Sequence, residues 1–428
     1  MAYFFSAHMI TTILGAQVEF IDQPFLKPLR ISAGLITKAT EARVMVRVRT
    51  GSREAVGRGS IYLSDLWAWP GMTPDRDAKD SAMRRLCETI AAALADWCGG
   101  EPAHPLELGL RLHHSLGSPE IQMPLLARSV CASAFDAAIH DAAGQALGLS
   151  AFHFYDAPAA IPSADAWFPG TGAAEAIRRS LRKPARRLNA WRLVSAGDDL
   201  EEQVRPAVME TGIHCYKIKL LARDAAEDAA RTSEVFQAAR SWGQEPTLSA
   251  DSNEGNPDPE SVSEYLDALE ALDASAYAAL SYLEQPTARD IVAHPHDWHE
   301  SRKDILLDEG LTSLDLLPVA QEQGWSGFAL KTCKGHSFTL ATAAWALQNG
   351  MKVSMQDLTN PGYSGVHSFL LAAHLPCING VELNSPQYTP AANLPWLPAL
   401  SGIFEPRGGV HALDDASCPG LGSSLKPL

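Results

Sequence analysis

Residues 215–220 read CYKIKL. In an extended segment side chains alternate faces, so Lys217 and Lys219 point one way while Tyr216, Ile218 and Leu220 point the other. Paired lysines suit an edge strand that turns charge to solvent, and they equally suit a site that needs two amines. The surrounding chain has to decide.

Working outward, short apolar runs alternate with amphipathic helical stretches from about residue 190. The runs are AWRLVS (190–195), CYKIKL, PTLSAD (246–251), SYLEQP (281–286), DILLDEG (304–310), GFALKT (327–332), MKVSMQD (351–357) and GVELNSP (380–386). Eight such strands, most followed by a helical stretch, predict an α/β barrel, with a doubly wound open sheet as the runner-up. No GxGxxG or Walker-type loop follows any of them, which weakens the open sheet.

The first 150 residues differ in character. VMVRVR (44–49) alternates like a half-buried strand, and the Gly-rich TGSREAVGRGS after it suits a hairpin. Met83, Leu86, Ile90, Leu94 and Trp97 recur at helical spacing before Gly99 and Gly100, and a second helical stretch covers 129–149. The opening MAYFFSAHMITTILGA has no Lys or Arg before its apolar stretch and reads as a first strand rather than a signal segment. Residues 151–189, rich in Ala, Pro, Gly and Arg, read as a connection. The expected organisation is an α+β cap over 1–150, a barrel over 151–390 and a C-terminal segment, 391–428, packing back on the cap.

Of the 428 residues 46% are hydrophobic, and the formal net charge is −15 without a basic run. That argues against a nucleic-acid or anionic-membrane partner, and no run reaches membrane-spanning length. Seven cysteines without a CxxC pair suit a reducing, cytoplasmic setting.

In a barrel of this kind chemistry gathers where strands end on the C-terminal face. The second strand ends with Lys217 and Lys219, the third with Asp251, the fourth with Glu284 and the fifth with Asp308 and Glu309. The sixth ends with Lys331 and the seventh with Gln356 and Asp357. Carboxylates on three successive strand ends select a hard cation, Mg²⁺ before Ca²⁺ or Mn²⁺. Lys219 and Lys331 come from strands on either side of that sector, so a substrate would lie between two amines. Burial and neighbouring cations favour a neutral amine, letting one lysine take a proton while the other donates one. Lys217 would tune its neighbour by like-charge repulsion and bond a carboxylate oxygen.

KIK (Lys217, Lys219), DSN (Asp251, Asn253), EQP (Glu284), DEG (Asp308), the sixth-strand Lys331 and FDAAIHDAAGQALGLSAF near 135–152 together resemble the enolase superfamily, in its muconate lactonizing enzyme-like subgroup, over nearly the whole chain. The resemblance implies a modified (β/α)7β TIM barrel with an N-terminal capping domain, Mg²⁺ held by Asp251, Glu284 and Asp308, and acid/base lysines Lys219 and Lys331. It also implies cap loops over the mouth near Pro24–Arg30 and Leu63–Gly71, the second carrying Trp67 and Trp69. Asn253, Gln356, Asp357 and Trp67 are candidate substrate contacts, and the resemblance suits a homo-oligomer.

Departures narrow the chemistry. The His–Asp pair of mandelate racemase is missing from the sixth and seventh strands, and the eighth strand reads VELNSP where dipeptide epimerases carry Asp-x-Asp. Glu382 and Asn384 share a face there. His336, His367 and His374 are assigned no role. The expected activity is removal of a proton α to a carboxylate of a small-molecule substrate, with racemisation or epimerisation ahead of cycloisomerisation and β-elimination. A Schiff-base aldolase and a non-catalytic metal- or ligand-binding barrel are the competing classes.

Overall fold

A computed structural model describes residues 9–31, 34–243 and 245–425. The beginning of the predicted first strand, residues 1–8, lies outside these. Strand β1 spans Thr11–Ile31, β2 Gly34–Thr50 and β3 Arg53–Leu63, paired antiparallel in the order β1-β2-β3. Val44, Val46 and Val48 are buried, as their alternation predicts. They face helices α1 (Arg76–Ala92), α2 (Pro105–Ser115) and α3 (Leu125–Leu147).

Only the 51–52 turn of the Gly-rich stretch belongs to a hairpin bend. Gly57 and Gly59 lie inside β3, where a Cβ would stand 2.1 Å from the Ala142 nitrogen and 1.9 Å from the Ala134 oxygen. Missing side chains thus let the sheet press directly onto the alanine face of α3.

Strands β4 (Arg187–Asn189) and β12 (Val410–Ala412) form a small antiparallel ribbon. Between them run β5 (Trp191–Val194), β6 (Cys215–Lys219), β7 (Thr247–Asp251), β8 (Leu280–Glu284), β9 (Asp304–Leu307), β10 (Gly327–Lys331) and β11 (Lys352–Gln356), parallel and in consecutive order. The predicted eighth strand closes the circle by isolated contacts. Ile378 and Glu382 donate to Val353 and Met355 of β11, and Val381 bridges Ala190 beside β5. The molecule is a capped, modified TIM barrel. Within the predicted connection, Ala173–Ser180 forms a helix that buries Ala173, Ala174, Ala176 and Ile177, a short apolar face that the Arg-rich composition obscures.

Cap and barrel meet along a buried polar seam. Asp136 of α3 accepts from the backbone and hydroxyl of Ser337 at 2.8 and 2.7 Å, at the start of α4 (His336–Gln348), and lies 3.2 Å from His140. His336 and His367 are 2.9 Å apart, and His374 stacks on Phe152. Burial pushes His367 down to about 3 and His374 to about 4, so these rings are neutral. Burial pushes Asp136 up, but the His140 and Ser337 bonds outweigh it and hold the carboxyl below its usual range. Asp141 of α3 accepts from Leu421 and Ser423 of the C-terminal segment.

Candidate active site at the barrel mouth

Strand register assembles the site. Lys219 pairs with Asp251, and Asp251 with Glu284, so three charged residues distant in sequence stand abreast on β6, β7 and β8. Asp308 follows β9 directly, and Lys331 ends β10 beside Gln356 of β11. Asp251, Glu284 and Asp308 are fully buried, while Lys219 retains 8% exposure.

The ammonium groups lie among the carboxylates. Lys219 bonds Asp251 and, at 3.0 Å, Asn253. Lys331 bonds Asp308 and stands 3.4 Å from Glu284. Lys217 reaches Glu284 at 2.8 Å, Gln356 at 2.8 Å and Glu382 at 3.1 Å. Burial alone would lower Lys217 and Lys331, yet Glu284 and Glu382 around the first, and Asp308 and Glu284 around the second, hold both above the usual lysine range. This differs from the neutral amine expected of burial, because the sequence does not show how many carboxylates converge. Glu284 is pushed up to about 8 by burial, with the Asp251 and Asp308 charges adding to the rise, and Glu309 rises to about 7 for the same reasons.

The three carboxylates fit a hard divalent cation in kind, being oxygen donors on neighbouring strand ends, and Glu309 Oε2 is buried with no hydrogen-bond partner. Each is turned onto an ammonium group, and among the described residues no three acidic, histidine or cysteine side chains already surround a common ion position.

A cavity of about 50 Å³ opens above this floor, lined by Lys217, Lys219 and Lys331. Asp357, Glu382 and Asn384 form one side and Trp67 another, while Phe25, Leu29 and Ile36 give it an apolar roof. Asp357 accepts from the Asn360 and Asn384 backbone, and burial raises it to about 7. Asn253 and Gln356 are not among the lining side chains; they bond Lys219 and Lys217 instead. The predicted loop at Pro24–Arg30 is strand: β1 continues past both prolines, and a register shift between Pro24 and Leu29 absorbs them at a sheet edge. Leu63–Gly71 carries a short helix, Asp65–Ala68, from which Trp67 enters the cavity while Trp69 packs into the cap core.

Two contributors were missed. Lys334 bonds the Asp308 carbonyl at 2.5 Å and its carboxylate at 3.0 Å, and the spacing of two lysines in LKTCK was a usable signal. Glu382 reads from the sequence as able to bind a polar group of a substrate, and nothing local marks it as the partner of Lys217. Backbone strain concentrates here too. All five non-glycine residues with left-handed backbone among the described residues, Ala222, Asn253, Glu254, Gln285 and Thr359, lie in turns leaving β6, β7, β8 and β11.

The family described as enolase C-terminal domain-like matches residues 199–427. A search of curated proteins finds no match. Solved structures resemble the whole chain. A muconate lactonizing enzyme from Pseudomonas fluorescens, complexed with muconolactone, is 20% identical over 96% of both chains, with a TM-score of 0.65. An N-succinyl Arg/Lys racemase from Bacillus cereus is 16% identical over 97% of this chain and 95% of its own, with a TM-score of 0.65. An enolase from Bradyrhizobium, complexed with magnesium and mandelic acid, is 18% identical over 96% and 95%, with a TM-score of 0.64. At these identities the likeness is one of fold.

Proposed function

The chain belongs to the enolase C-terminal domain-like family, within the enolase superfamily, and on that premise we propose that it removes the proton α to a carboxylate and returns one to the same carbon. The observation that carries this reading is that Lys219 and Lys331 line one cavity from strands on either side of the Asp251, Glu284 and Asp308 sector.

In the proposed reaction one lysine, without its proton, takes the α-proton of a substrate carboxylate. The ammonium of the other delivers a proton to the opposite face, and proton exchange with solvent resets the pair. Lys217 stays an ammonium beside the substrate carboxylate, with Glu382 and Gln356 fixing its position. Asp251, Glu284 and Asp308 would hold Mg²⁺, or Mn²⁺, which supplies the positive charge that makes the α-proton acidic. Asn253 positions Lys219, whereas Trp67 and Asp357 would contact the substrate body. The same lysines serve cycloisomerisation or β-elimination when the substrate carries an internal electrophile or a leaving group.

The test is proton NMR in D₂O with Mg²⁺ against a panel of chiral carboxylates: amino acids, N-acylated amino acids, hydroxy acids and sugar acids. Deuterium entering an α-carbon, and lost in Lys219→Ala and in Lys331→Ala, is the expected result. Exchange that survives in both variants would sink the proposal.

A further inference from the structure

The cap reaches the lysine pair at one side chain. The Trp67 indole nitrogen donates to Glu309 Oε1 at 2.7 Å, and the Lys331 ammonium stands 4.6 Å from the indole ring centroid. Glu309 Oε1 also accepts from Asn253 at 2.9 Å, and Asn253 accepts from Lys219 at 3.0 Å. A continuous path therefore runs Lys219–Asn253–Glu309–Trp67–Lys331, and only Trp67 comes from the cap.

The segment bearing Trp67 is pinned more firmly than packing alone requires. Arg76 grips Asp65 through two bonds of 2.7 and 3.0 Å. Arg289, bound to Glu254, donates to the Trp67 carbonyl at 3.3 Å. Lys79, 1% exposed, donates to the carbonyls of Trp69 and Gly71. Trp67 itself is 6% exposed.

We propose that Trp67 is a positioning residue of the acid/base machinery: its ring face confines the Lys331 ammonium against Asp308, and its N–H locks Glu309, so the lysines acquire their working geometry only when the cap segment is seated. Ring face and ammonium attract because the indole presents its negative face to the cation, and the attraction grows where water is excluded, as it is at Lys331. Without the indole, Glu309 Oε1 would keep only the Asn253 bond and Oε2 none, leaving its charge to compete with Asp308 for the lysine. The inference rests on the proposed function for its catalytic meaning but not for its test.

Lysine acylation rates, resolved residue by residue by mass spectrometry, read the confinement without any substrate. In Trp67→Leu, labelling of Lys331 is expected to rise about fivefold or more, the scale of a lost cation–π contact. In Trp67→Phe, which keeps a ring face, it stays within about twofold of wild type. Lys334, which is equally buried and bonds Asp308 from the other side, remains unchanged in both. Should Trp67→Leu fail to fold, Trp67→Met replaces it, filling the volume without a π face. Unaltered Lys331 labelling in the Leu or Met variant overturns the proposal, and so does a rise shared equally with Lys334, which marks general loosening. The labelling pattern without α-proton exchange on any carboxylate would sink the proposed reaction alone. Where exchange is found, a positioning role predicts that Trp67→Phe retains more of kcat than Trp67→Leu, while KM changes less than kcat.

Discussion

Two buried polar clusters divide this molecule, and they handle charge in opposite ways. At the mouth, Asp251, Glu284, Asp308, Glu309 and Glu382 face Lys217, Lys219, Lys331 and Lys334 in a water-poor floor. At the seam between cap and barrel one carboxylate, Asp136, is saturated by Ser337 and His140, and burial pushes the nearby His336, His367 and His374 down. One cluster holds groups near the limit of their protonation, as Glu284 and Glu309 show. The other holds groups far from theirs. Burial is equal in the two, so burial does not mark function; competition among charges for the same partners does.

The contrast predicts that mouth variants lose chemistry and seam variants lose stability. The largest effect is expected for Lys219→Ala and Lys331→Ala, which should slow α-proton exchange by at least about 10³-fold while shifting the thermal midpoint little. A comparable loss of exchange in Asp136→Ala, per folded molecule, would erase the distinction. That seam variant should instead lower the unfolding free energy by about 3 kcal/mol, read from urea midpoints, because it strands Ser337 and His140. Next, Mg²⁺ at about a hundredfold excess over its dissociation constant should stabilise the wild type by about 2.7 kcal/mol. Thermal shifts with and without chelator check this, and Glu284→Gln should abolish it. The smallest effect concerns one seam histidine. His374 titrates near 6.5 in the unfolded chain and at about 4 when folded, so the unfolded state binds the proton first. Stability present above pH 6.5 is therefore lost as the pH falls toward 4. His374→Phe should retain roughly 2 kcal/mol more than wild type at pH 4.5, relative to pH 7.

Much of the mouth was legible because strand periodicity fixes which face a residue takes, and polar residues that close apolar strands stand out. Lys219, Asp251, Glu284 and Lys331 needed no more than that. What the chain does not reveal is who meets whom across it. Glu382 reaches Lys217 over 165 residues, and Trp67 reaches Glu309 over 242. Those pairings arise from barrel closure and cap docking rather than from any local pattern. The resemblance implied a loop near Pro24–Arg30, yet β1 runs on through Pro24 and Pro28 as an edge strand, where a missing donor costs little. The seam histidines looked like isolated helical residues and prove to be neighbours of one another, a relation set by how α3 lies against α4.

The left-handed turns leaving β6, β7, β8 and β11 also tell an engineer where this barrel resists editing. Ala222 holds φ 53° without a site bond of its own, so Ala222→Gly is a candidate stabilising change, whereas Asn253 and Glu254 hold theirs while bonding Lys219 and Arg289. The turns after β9 and β10 contain no such residue among those described. Each instead relies on a glycine, Gly310 with a Cβ position 2.6 Å from the Arg289 oxygen and Gly335 at φ 101° beside Asp136, so loop grafts meant to give the barrel a new specificity would have to keep those two positions.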